Sequence, residues 1–112
     1  MDILSATNAL GALSQETRLG VFRLLVRNGP EGLPAGDIAR ALSIPHNTLS
    51  THLAILTRAG LACSRREGRS IIYSVDFEGT RDLLSFLMED CCQGHPDVCG
   101  PLLDNVLPGC CP

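Results

Sequence analysis

The chain has 112 residues, of which 45% are hydrophobic and only 4% aromatic. This length and composition predict one small domain with an aliphatic core rather than a disordered chain. The net charge of −3 argues against a uniformly basic protein, but residues 40–75 carry five arginines against one glutamate, and residues 76–112 carry one arginine against seven acidic residues. Because no basic segment precedes a long apolar run and no window approaches about 18 apolar residues, we expect neither a signal peptide nor a membrane span, and a cytoplasmic location.

The first third of the chain predicts two helices. Residues 2–12 form the first, and its apolar side carries Ile3, Ala6, Ala9 and Leu10. Ser14 is the expected N-cap of the second helix, which ends at Asn28-Gly29. The apolar residues of this second helix are Leu19, Phe22, Leu25 and Val26. A loop rich in glycine and proline then separates it from the next segment.

Residues 33–61 predict two short helices joined by a tight turn. Pro34 begins the first, and the proline of Ser43-Ile44-Pro45 breaks the pattern. The second helix runs from Pro45 to Ala59 and ends at Gly60. Its apolar stripe is Leu49, Leu53 and Leu56, and the opposite face carries Asn47, Thr51 and Arg58. A polar helix start suits base edges and phosphates in a major groove, although an ordinary helical hairpin with a solvated face would share this pattern.

A β-hairpin is predicted directly after this pair of helices, over residues 62–75. Ile71, Tyr73 and Val75 alternate on one face, and Glu67-Gly68 is the expected turn. The arginines at its tip could simply protect an exposed edge. A basic hairpin after a recognition-type helix is, however, the order of a winged helix-turn-helix. The candidate DNA contacts are Asn47, Thr48, Ser50, Thr51, His52, Arg65, Arg66 and Arg69.

A last helix is predicted from Phe77 to Cys92, with Asp76 as its cap. This completes a mainly α fold with a β-hairpin wing, in the order ααααββα. The first and last helices have apolar surface to spare, so we expect a homodimer joined through residues 3–10 and 83–88; the alternative is that both helices cap a monomeric core. Residues 1–92 then form the DNA-binding and dimerisation domain, and residues 93–112 form a tail rich in cysteine and proline.

Three blocks of sequence resemble the ArsR/SmtB family of metal-responsive repressors. They are ALGALSQETRL at residues 9–19, LSTHLAILTRAGL at residues 49–61 and RREGRSIIYS at residues 65–74. The resemblance implies a homodimeric winged-helix repressor that releases operator DNA on binding a metal or metalloid. The chain departs from the family's known sensing sites, because residues 33–42 lack the Cys-Val-Cys motif of many arsenic sensors and the last helix has no histidine.

Six cysteines offer another site. Cys63 lies in the first wing strand and is interpreted as a small buried hydrophobe. The other five lie at or beyond the end of the last helix, in an acidic tail where packing does not explain them. Cys91, Cys92 and Cys99 can supply three thiols in one subunit, a donor set that suits trivalent arsenic or antimony, As(III) or Sb(III), better than tetrahedral zinc. No organic cofactor is expected.

Other uses of these cysteines stay open. Zinc or cadmium could bind Cys91 or Cys92 with Cys99 and His95, and a Cys92–Cys99 disulfide could make a redox switch. Cys110 and Cys111 form a second pair, which could be spare thiols, a two-sulfur site for methylarsenite or an exchange route for the ligand. A winged helix that docks protein rather than DNA is a further alternative. We expect no enzyme, since neither a Cys-His arrangement, a phosphate loop nor a carboxylate pair is evident.

Overall fold

The computed structural model describes residues 1–89, which form five α-helices, one 3₁₀ turn and a three-stranded antiparallel sheet. The helices are α1 Ile3–Leu13, α2 Glu16–Asn28, α3 Ala35–Leu42, α4 His46–Arg58 and α5 Phe77–Leu87. The strands are β1 Leu33–Pro34, β2 Ala62–Glu67 and β3 Ser70–Val75, and the 3₁₀ turn is Gly29–Glu31. This order confirms the predicted winged helix-turn-helix and adds β1, which the sequence analysis missed because a two-residue strand has no periodicity.

The core forms where α2, α3 and α4 meet. The predicted leucine stripe of α4 is confirmed, since Leu49, Leu53 and Leu56 are at most 1% exposed. Val21 and Leu25 of α2 are fully buried beside them. Of the other apolar residues of this helix, Leu19 and Val26 are 43% and 45% exposed. The apolar residues of α2 cover two overlapping faces, and packing against α4 selects the face with Val21 and Leu25.

The boundary between α1 and α2 differs by one residue from the prediction. Gln15, not Ser14, caps α2: its Oε1 accepts a hydrogen bond from the backbone amide of Arg18 at 2.7 Å. Ser14 instead ends α1, since its amide and its hydroxyl both donate to the carbonyl of Gly11. At the start of α1 the hydrogen bond from the amide of Ser5 lowers the pKa of Asp2.

Helix α5 begins as predicted and ends early. Asp76 caps it, because its carboxylate accepts the amide of Gly79 at 2.9 Å. The predicted end at Cys92 is wrong, because α5 ends at Leu87, where the Glu89 amide donates to the Phe86 carbonyl in a tighter turn. Apolar periodicity continues past this point in the sequence and therefore overstated the helix. Cys91 and Cys92 lie outside the described residues.

The sheet has the order β1-β3-β2, with β3 in the centre. Glu67 pairs with Ser70, so the hairpin turn is Gly68-Arg69 and not the predicted Glu67-Gly68. Gly68 has φ +61°, as the first central position of a type II′ turn requires. Cys63 is exposed, which corrects its interpretation as a buried hydrophobe: only Ala62 of β2 reaches the core.

The two outer helices keep large apolar side chains on the surface. Helix α1 buries only Ala6, Ala9 and Ala12, whereas Ile3 and Leu4 are 72% and 69% exposed. On α5, Leu83 is buried and Leu87 is 48% exposed. Within residues 1–89 no helix is long and apolar enough to cross a membrane.

Candidate nucleic-acid interface

Helix α4 presents a polar surface opposite its leucine stripe. Asn47, Thr48, Ser50 and Thr51 are all exposed there, because burial of Leu49 and Leu53 fixes the rotation of the helix. Pro45 precedes the helix and supplies no side-chain cap. The residues of the first turn, His46, Asn47 and Thr48, are exposed, so the positive end of the helix dipole is open to solvent, which favours a phosphate near the N-terminus.

Some side chains on this surface already form hydrogen bonds with the backbone of α4. The hydroxyls of Ser50 and Thr51 donate to the carbonyls four residues earlier, at 3.0 and 3.3 Å. Their oxygens retain lone pairs that can accept hydrogen bonds from outside. Asn47 Oδ1 accepts the Thr48 amide at 3.0 Å, which leaves the Asn47 side-chain NH₂ pointing to solvent as a donor. The surface can therefore both donate to and accept from a base edge.

The turn before α4 holds this helix against α3. Ser43 adopts the left-handed conformation, with φ +54°, and the Ile44 amide donates to the carbonyl of Ala39. At the other end Gly60, with φ +80°, closes α4 as predicted. Both ends of α4 are thus fixed by backbone geometry, so its exposed face has one orientation relative to the wing.

The three wing arginines differ in what they contact. The Nη2 of Arg65 donates to the carbonyl of Glu31 at 2.8 Å, and its Nε lies 3.1 Å from a carboxylate oxygen of Glu67. Arg65 therefore ties the wing to the 3₁₀ turn. In the described part of the chain Arg66 and Arg69 have no hydrogen-bond or ion-pair partner and are exposed.

His52 is half-buried on the flank of α4 and does not share the solvent exposure of its neighbours. Its Nδ1 lies 3.4 Å from Nη1 of Arg18, and Nε of Arg18 donates to the carbonyl of Ala12 at 2.8 Å. The sequence analysis missed Arg18 and Glu31 as parts of this region. No local pattern could have found them, because each contact joins residues 34 positions apart.

No metal site is formed by the part of the chain that the structure describes, where no three His, Cys, Asp or Glu residues lie together. The predicted thiols Cys91, Cys92 and Cys99 lie beyond residue 89, as do His95, Cys110 and Cys111. These predictions are therefore not tested by the structure.

A polar helix face, a tight turn before it and a basic hairpin after it define a winged helix-turn-helix protein. A family model described as a helix-turn-helix domain matches residues 13–62. The "ArsR-like Transcriptional Regulator from Rhodococcus sp. RHA1" has the same fold, with a TM-score of 0.70 at 22% identity over 93% of each chain.

Curated relatives place the chain more closely. It is 31% identical to the transcriptional repressor SdpR of Bacillus subtilis, over 81% of this chain and 98% of that protein. It is 40% identical to the regulator NmtR of Mycobacterium tuberculosis, over 61% of this chain but only 54% of NmtR. A cadmium resistance transcriptional regulatory protein of Staphylococcus aureus, the CadC homolog, is 34% identical over 65% of this chain and 59% of its own length. The chain belongs to the ArsR family of transcriptional regulators, and like these relatives it is a regulator and not an enzyme.

Proposed function

We propose that the protein is a repressor that binds operator DNA as a homodimer and releases it when As(III) or Sb(III) binds Cys91, Cys92 and Cys99. The observation that carries the DNA-binding half is the exposed polar face of α4 beside two arginines, Arg66 and Arg69, without partners in the described chain. The remaining parts of the proposal are supported separately.

The side chains of α4 and the wing take different roles in the proposed complex. Asn47, Thr48, Ser50 and Thr51 face the major groove, where their donors and acceptors meet base edges. Arg66 and Arg69 contact phosphates beside the groove, since exposed guanidiniums bind phosphate strongly. Arg65 fixes the angle of the wing through Glu31 and Glu67.

A homodimer is supported by the apolar surface that α1 and α5 leave uncovered. Ile3, Leu4, Leu10 and Leu87 are 43–72% exposed, and burial of each against a second copy is worth up to about 2 kcal/mol. A two-fold dimer also places two reading helices about one DNA turn apart. A solved relative, the winged helix-turn-helix fragment of Mb0332 from Mycobacterium bovis, is itself described as homodimeric.

The effector site is supported by the donor set. Three thiols within nine residues match the three soft ligands that trivalent arsenic and antimony prefer. Cys91 follows Leu87, the end of α5, by four residues. A ligand that draws the cysteines together acts on the chain next to the proposed dimer surface, and so on the spacing of the two α4 helices. To move the repressor from mostly bound to mostly released, it must favour the released state by about 5 kcal/mol.

A cadmium or zinc response is the second candidate, and the cadmium resistance relative favours it. In this chain the ligands would be Cys91 or Cys92 with Cys99 and His95. Tetrahedral zinc does not easily use two adjacent cysteines, since its usual spacing is Cys-x₂₋₄-Cys. The zinc set would thus leave one of the adjacent thiols unused and supply three ligands for four positions, whereas trivalent arsenic would use all three thiols, so arsenite is the first choice.

The test is a gel shift of reduced protein on its own promoter region, titrated separately with arsenite, antimonite, cadmium, zinc and peroxide. We expect arsenite and antimonite to release the DNA. Each single change of Cys91, Cys92 or Cys99 to serine should keep operator binding and remove the response, whereas the controls Cys63→Ser and the double serine variant of Cys110 and Cys111 should still respond. Release by cadmium alone, or by peroxide alone, would replace arsenite with a metal or a redox signal.

A further inference from the structure

A side-chain bridge connects the end of α1 to the DNA-facing helix α4 through Arg18. Nε of Arg18 donates to the Ala12 carbonyl at 2.8 Å, and Nη1 lies 3.4 Å from Nδ1 of His52. Ala12 is in the last turn of α1, where carbonyls lack partners within the helix and the dipole is negative. The guanidinium therefore stabilises the end of α1 and orients the ring on α4 at the same time.

The backbone at Arg18 is itself held by a hydrogen bond. Arg18 is half-buried, and its own amide is held by Gln15 Oε1 at 2.7 Å. Because a guanidinium only donates, a hydrogen bond over this distance makes Nδ1 of His52 the acceptor, and the ring N–H is then on Nε2. A planar guanidinium can serve two acceptors in fixed directions, which a lysine ammonium cannot reproduce.

The bridge lies beside a gap between α1 and α4. A surface cavity of about 240 Å³ lies between them, lined by Asn8, Ala12, Ile55, Arg58 and Ala59. Within residues 1–89 no other side-chain hydrogen bonds link α1 to α4. The rotation of α4 relative to α1 is thus set by apolar packing and by this one polar link.

We infer that Arg18 and His52 are positioning residues, which fix the reading face of α4 relative to α1 and, through α1, relative to the second protomer. The inference rests on the proposed function, because it takes α1 as part of the dimer surface and α4 as the reading helix. His52 is then oriented from inside the protein and acts on DNA through the placement of Asn47, Thr48 and Thr51. A change in dimer geometry that shifts the Ala12 carbonyl reaches the reading face by this route.

The test uses the full reduced chain and a labelled operator duplex. His52→Phe keeps the packing of the ring but removes the acceptor, and Arg18→Lys keeps a donor for Ala12 but cannot serve both acceptors. We expect each to weaken operator binding about tenfold, and the double variant no further, because both break the same link. His52→Asn places an oxygen near the position of Nδ1 and should restore binding. Arg23→Lys makes the same substitution at an exposed arginine of the same helix and, as the matched control, should bind as the wild type.

Two further readouts separate positioning from DNA contact and from loss of fold. Neither His52→Phe nor Arg18→Lys should change the salt dependence of binding, since no phosphate contact is lost, and both should sediment as the wild type does. Additive losses, a reduced salt dependence in His52→Phe, or wild-type affinity in both variants would overturn the inference. If Arg18→Lys fails to fold, the comparison of His52→Phe with His52→Asn decides alone. A wild-type protein that binds no duplex would overturn the proposed function and this inference together.

Discussion

Replacing Arg66 and Arg69 with glutamine should weaken binding to every DNA sequence and reduce its dependence on salt. Both guanidiniums are exposed and have no partner in the described chain, so their loss removes phosphate contacts without disturbing the fold. A dimer loses the contacts of two wings, that is four phosphate contacts. The negative slope of log K against log salt therefore becomes shallower by about 3.6. Between about 50 and 200 mM salt the wild type should then lose about 150-fold more affinity than the variant.

Arg65→Gln is the comparison, because it removes one arginine charge from the same hairpin. Its guanidinium is bound to the Glu31 carbonyl and to Glu67, so we expect a nearly unchanged slope and a loss of about 1 kcal/mol in the free energy of unfolding. Fluorescence anisotropy across a salt series gives the slopes, and urea unfolding gives the stabilities. A wild-type slope in the Arg66 and Arg69 double variant would refute the wing assignment. A drop in the steepness of the salt dependence by about 1.8 for Arg65→Gln, half that of the double variant, would show that Arg65 reaches phosphate despite its internal contacts.

Two further predictions concern the dimer surface and the placement of α5. Leu87→Glu should raise the dimer dissociation constant about 100-fold or more, since it replaces an apolar contact with a charge in both protomers. The control Leu19→Glu, at similar exposure on α2, should stay dimeric in sedimentation. If the Leu87→Glu variant is dimeric as well, α5 does not form the dimer surface. Gly79→Ala should lower the free energy of unfolding by about 1–3 kcal/mol, because a Cβ there would overlap the carbonyl of Gly60. The control Gly20→Ala lies in open space within α2 and should raise the free energy of unfolding by up to about 1 kcal/mol. Urea unfolding measures both. Equal stability of the two alanine variants would show that α5 does not approach the α4–β2 turn this closely.

The sequence by itself determined the elements whose cause is local. The stripe of Leu49, Leu53 and Leu56 predicted both the extent of α4 and the face it buries. The three leucines lie on one side of the helix at i, i+4 and i+7, so only that side can pack into the core. Asp76 predicted the start of α5, since a capping carboxylate needs only the amide three residues ahead. The wing followed from strand alternation on either side of a glycine turn, with an error of one residue at the turn itself. The cysteine site stays a prediction, because its thiols lie beyond the described residues.

Where the local sequence allowed several arrangements, only the tertiary structure decided which face was buried and which segments paired. Helix α2 could have buried either of two overlapping apolar faces, and contact with α4 left Leu19 and Val26 outside. Cys63 is exposed because β2 follows the edge of the sheet, and β1 exists only because it pairs with β3. The partners of Arg18 and Arg65 lie 34 residues away in each case, and these contacts distinguish arginines that hold the fold from those free to meet DNA. Hydrogen bonds between distant segments depend on how the whole chain packs, and no local pattern of residues encodes them.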